Sequence, residues 1–93
     1  MRSLQKFRKA PADRKRYIVN YEDWLNEDEL LLSVQVIGST GTFYVDGFVV
    51  DSGDKQVIFY VSGGSSGNSY DVSVTVNTSL QQVKEDFITF MVI

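Results

Sequence analysis

Ninety-three residues without a cysteine or a histidine exclude a disulfide framework, a thiolate zinc site, and any nucleophile activated by an imidazole. Hydrophobic residues at 43% and aromatics at 13% suit one packed domain and exclude a disordered chain. The net charge of -3 conceals a division: residues 1–16 hold Arg2, Lys6, Arg8, Lys9, Arg14, Lys15 and Arg16 against Asp13, while residues 17–93 hold Lys55 and Lys84 against eleven acids.

Residues 1–15 contain few apolar side chains, the single proline Pro11, and no sustained period of 2 or 3.6, which predicts an extended basic arm unable to fold alone. At about 3.3 Å per residue it reaches roughly 50 Å, enough to cross a neighbouring subunit. Met1 to Ala10 carries charges where a signal peptide needs an apolar stretch, and no apolar run approaches the roughly 20 residues of a bilayer span, so the expectation is a soluble chain made in the cytoplasm. Residues 16–20 read as a short strand. Asn20 then caps one helical turn through Leu25, with Asp23 three residues on as in a capping box.

Turn residues punctuate the rest at 38–41, 51–54, 63–68 and 77–81, leaving strands at 29–37, 42–50, 55–62, 69–77 and 83–92. Gly47 is expected to bend or bulge the second of these. Alternation places Tyr70, Val72, Val74 and Val76 on one face, and likewise Leu30, Leu32, Val34 and Val36, then Val57, Phe59 and Val61, then Ile88, Phe90 and Val92. Trp24 is expected to plug the gap between two sheets about 10 Å apart. Leu31, Ile37, Ile58, Tyr60, Phe87, Met91 and Ile93 fall on the opposite faces. Such a second apolar face meets either a neighbour or another segment of the same chain.

The chemistry-bearing residues are sparse. Glu22, Asp23, Glu27, Asp28 and Glu29 form an acidic run that reads as a solvated corner, since a glycosidase pair needs a cleft and calcium needs a spaced ligand order absent both here and at Asp51 with Asp54. Gly63-Gly64-Ser65-Ser66-Gly67 lacks the Lys-Ser or Lys-Thr and the following helix of a phosphate loop, so it reads as a strand connection. Asn77-Thr78-Ser79 matches a glycosylation sequon that a chain without a secretory signal would not use. The cations of residues 1–16, with Phe7 to stack on a base, could track nucleic acid, but the acidic body repels the same polymer. An arm opposite in sign to its body is better suited to another copy of that body or to an acidic neighbour.

The run Tyr17-Ile18-Val19-Asn20-Tyr21-Glu22-Asp23-Trp24-Leu25, then the hydrophobic strand, then Val61-Ser62-Gly63-Gly64 to Gly67, Tyr70 and the strand ending Phe87 to Val92, resembles a family of short bacteriophage virion proteins of the fibre-tail adaptor type. The resemblance covers residues 16–92, and the basic N-terminal segment departs from it, that region being short and more acidic in the family. It implies an immunoglobulin-like β-sandwich built into a tail or head-tail assembly in several symmetric copies. The expectation is therefore an all-β protein: a basic arm at 1–15, an Ig-like antiparallel β-sandwich at 16–93 with one short helical turn near Trp24, and neither enzymatic activity, cofactor nor metal. Arg8, Lys9, Arg14, Lys15 and Arg16 are expected to dock by charge, Phe7 to anchor, and Met91 and Ile93 to pack a second surface. Its expected partners are other virion proteins and copies of itself in a homo-oligomer, with no membrane. Capsid decoration, or nucleic-acid binding through the arm, is the alternative.

Overall fold

The computed structural model describes residues 3–51, 53 and 55–93. Its strands are β1 (Ser3–Lys9), β2 (Arg14–Asn20), β3 (Leu31–Ile37), β4 (Phe43–Asp51), β5 (Gln56–Gly63), β6 (Ser69–Thr78) and β7 (Val83–Val92). They form two sheets, of order β1-β7-β6-β3 and β2-β5-β4. Neighbours are antiparallel save β1, which runs parallel to β7. Among the described residues there is no helix.

Alternation builds the core as the sequence predicts. Val57, Phe59 and Val61 of β5, Val72, Val74 and Val76 of β6, and Ile88, Phe90 and Val92 of β7 are all buried. Each such side chain is worth about 1.5–3 kcal/mol when fully removed from water. Phe90 links the two sheets, its ring lying 6.3 Å from Phe59, 4.8 Å from Tyr17 and 6.0 Å from Phe43. Gly47 has φ +63° where β4 breaks register between Asp46 and Val49, so the expected bulge is there.

Three expectations need correction. Leu30 and Leu32 do not share the core face of β3: a register shift between Leu31 and Ser33 turns Leu31 inward and leaves Leu32 exposed, while Val36 keeps its predicted burial. Trp24 does not plug the sheets. The 21–25 segment is a turn closed by the Trp24 and Leu25 N–H groups donating to the Tyr21 carbonyl at 3.0 and 2.9 Å, with the Asn20 side chain accepting from the Glu22 N–H at 2.8 Å. It lies beyond the end of β2, so Tyr21 and Leu25 enter the core and Trp24 stays half-buried, edge-on to Tyr21 at 6.0 Å.

The third concerns the N-terminal segment, which is extended but does not hang free. Ser3–Lys9 lies on the open edge of β7, where unpaired peptide groups offer a ready partner. Phe7 faces inward, 4.8 Å from Tyr17 and 5.7 Å from Phe90. Lys9 is buried as well, its Nζ donating to the carbonyls of Ala10 at 2.7 Å and Gly63 at 2.5 Å. Burying an amine demands such partners.

Phe7→Ala should cost about 2–3 kcal/mol, below the full Phe→Ala range because the ring is only partly buried. The midpoint of thermal unfolding, followed by circular dichroism, should then fall by roughly 10 °C or more. Lys6→Ala, at an exposed neighbouring position, should leave it unchanged. Equal melting of both variants would separate β1 from the folded body.

Candidate functional site

Strands of ten residues such as β6 and β7 need about 33 Å at roughly 3.3 Å each, so they run along the longest dimension of a body 42 × 24 × 19 Å. The molecule therefore has two distinct ends. At one, the β1–β2 link, the 63–68 loop and the last residues meet: Lys9 reaches Gly63, the Ile93 N–H donates to the Lys9 carbonyl at 2.9 Å, and the Gly67 N–H donates to Val92 at 2.8 Å. At the other, the Tyr21 hydroxyl donates to Asp86 at 3.2 Å, the Tyr21 N–H to Lys55 at 3.0 Å, and the Ser79 N–H to Leu30 at 2.8 Å.

The first end is cationic, and it gathers residues far apart in sequence. Arg8 of β1 is exposed and pairs in register with the half-buried Met91, and Ile93 is exposed one step beyond β7. Arg14, Lys15 and Arg16 are exposed on β2, an edge of the other sheet. Arg14 crosses the Tyr60 ring at 4.3 Å to pair with Asp46 at 2.7 Å. With both partners more than half exposed, that bridge contributes at most about 1 kcal/mol. Lys6, Arg8, Lys15 and Arg16 have no carboxylate partner among the described residues. Cations along edge strands also discourage sheet-to-sheet aggregation, which is their ordinary structural duty. Of the residues read from sequence as an interface, Phe7 and Lys9 point into this chain's own core and the other six share this end.

The opposite end is acidic and apolar together. Glu22, Asp23, Glu27 and Asp28 are exposed on the connection between β2 and β3, and Glu85 is exposed on β7. Lys84 is taken up by Asp86 at 3.3 Å and lies 5.6 Å from the centre of the Trp24 ring. Beside the acids stand Leu30 at 37% exposure, Leu32 at 67%, Leu80 at 54% and Val83 at 64%. Sequence reasoning missed this patch because it assigned Leu30 and Leu32 to the core; Leu80, an apolar residue in a polar turn, was the available signal.

Glu29 ties this end together from inside. Its carboxylate accepts from the Thr78 hydroxyl, from the Asn26 N–H and side-chain amide at 3.0 Å each, and from Gln82 at 3.4 Å. The Thr78 hydrogen bond, followed by that from the Asn26 backbone, holds the carboxyl below its ordinary value despite burial. Burial, reinforced by the Asp86 carboxylate, pushes the Tyr21 phenol well up, so it stays a neutral donor. Because the Glu29 value is depressed on folding, its stabilisation is present above about 4.5 and is lost as pH falls through the folded value. Glu29→Gln should melt lower than wild type near neutrality and show a shallower fall of melting temperature on acidification. Parallel melting curves for both proteins from neutral to acid pH would refute this coupling.

Among the described residues, no three acidic side chains gather as metal ligands would. The exposed surface has one cationic end and one end that joins acids to exposed leucines. These features define an all-β protein of two stacked sheets with unlike, oppositely charged ends. The family model of the podophage GP4 fiber-tail adaptor protein gp77 matches residues 9–91. The chain belongs to that family of phage structural proteins, as its resemblance in sequence implied. No curated protein matches it.

Proposed function

We propose that this chain is a non-enzymatic adaptor in the virion tail, joining tail and fibre components through protein contacts and present there in several copies. Membership of the fibre-tail adaptor family across residues 9–91 is the observation that carries this reading. The cationic end is its docking surface: four exposed cations without carboxylate partners among the described residues are available to an acidic protein. The scaffold is of immunoglobulin type. Two features support that: β2-β5-β4 faces β1-β7-β6-β3, the arrangement of B-E-D against a G-F-C sheet extended by the first strand, and the Tyr70 hydroxyl accepts from the Ser65 N–H at 2.9 Å, upstream at the turn into β6.

A charge-reversed variant, Arg8→Glu with Lys15→Glu and Arg16→Glu, tests the surface, because all these positions are exposed and the fold should survive. Particles assembled with it should lack the protein, as read by composition of purified virions. Normal incorporation would reject the cationic end as the docking site. Exposed cations also fit nucleic acid, and that reading makes a separate demand: salt-sensitive retention on DNA that the same variant loses.

A further inference from the structure

We infer that the cationic end of one copy docks on the acidic, apolar end of the next, so that the adaptor associates with itself head to tail. The inference rests on the adaptor reading and names the partner of its docking surface. The two ends are unlike and complementary. Arg8, Lys15 and Arg16 lie exposed toward one, with Met91 and Ile93 as apolar neighbours; Glu27 and Asp28 lie exposed at the other, beside Leu32 and Leu80.

Charge neutralisation inside the chain does not erase this polarity. Toward the cationic end Asp46 is paired with Arg14, while Asp13 accepts from the Ala10 N–H at 3.0 Å and Asp71 from the Thr89 hydroxyl at 2.7 Å, so cations still outnumber acids there; at the acidic end Lys84 is paired with Asp86 and Lys55 is the other cation, against the larger set of acids. Opposite charges held apart along the 42 Å dimension cannot meet within one molecule, but they meet in register when two molecules align end to end. The leucines then supply what charge alone lacks. Exposed ion pairs contribute at most about 1 kcal/mol each, whereas an apolar patch rimmed by charge gives affinity from the patch and orientation from the rim. Because the two contacting surfaces differ, the contact is heterologous and propagates, closing into a ring where the rotation between copies permits.

The test uses the purified full chain and two variants, Lys15→Glu with Arg16→Glu at one end and Glu27→Lys with Asp28→Lys at the other, with circular dichroism confirming that each is folded. Sedimentation across a concentration series at low salt should show wild type associating, each variant weakened at least tenfold, and an equimolar mixture of the two variants associating again. Salt near 1 M, where the screening length is about 3 Å, should weaken wild type as the reversals do. A leucine readout is independent of charge: Leu32→Ser with Leu80→Ser should also weaken association. Wild type that stays monomeric, or association that ignores both reversals, or a mixture that fails to recover, overturns the inference. The two readings fail separately. A wild-type monomer whose reversal at Arg8, Lys15 and Arg16 still blocks incorporation into particles would sink head-to-tail docking alone, whereas association in solution with normal incorporation of that variant would sink the docking role in the tail.

Discussion

One aromatic ring sits at the centre of the packing between the two sheets. Phe90 of β7 touches Phe7 of β1, Tyr17 of β2, Phe43 of β4 and Phe59 of β5, so strands from both sheets converge on a single side chain. Aromatic pairs of this kind add about 0.5–1.5 kcal/mol each beyond the area they bury. Phe43 in turn stacks on Tyr70 at 4.5 Å, and Tyr70 is anchored to the turn before it by Ser65. Gly64 makes that packing possible: a Cβ there would lie 2.6 Å from Val92 and 3.2 Å from Tyr70, and its φ of +97° suits no other residue.

The ends are closed by polar groups in place of rings. Lys9 bridges the first strand to Gly63 at the cationic end, and Glu29 bridges the acidic loop to Thr78 and Gln82 at the other. Both are buried side chains whose polar atoms have hydrogen-bond partners, and removing a partner would leave a buried polar group unsatisfied at a cost of about 1–3 kcal/mol. They tie the loops at each end to distant strands, next to the exposed arginines and leucines.

How much of this was legible in advance follows from the range of the signal. The alternation in Tyr70, Val72, Val74 and Val76 is a local pattern, and it located the core faces of β5, β6 and β7 correctly. The same rule failed at Leu30 and Leu32 because a single inserted residue in β3 puts the residues before it out of phase with Val34 and Val36, and the bulge depends on how β3 meets β6. Trp24 was misplaced for a related reason. Its size argued for the centre, but the turn that carries it ends outside the sheets.

The sequence by itself determined the class and the charge division, since period-2 runs broken by glycine and asparagine admit only strands, and the counts of cations and acids do not depend on folding. It also carried the family, through the order of its motifs. Only the tertiary structure decided that residues 3–9 complete a sheet by parallel pairing, that Phe7 and Lys9 turn inward, and that distant cations and distant leucines collect at opposite ends. Those outcomes rest on contacts between segments as far apart as Lys9 and Gly63, and no local periodicity encodes which edge an extended segment will choose.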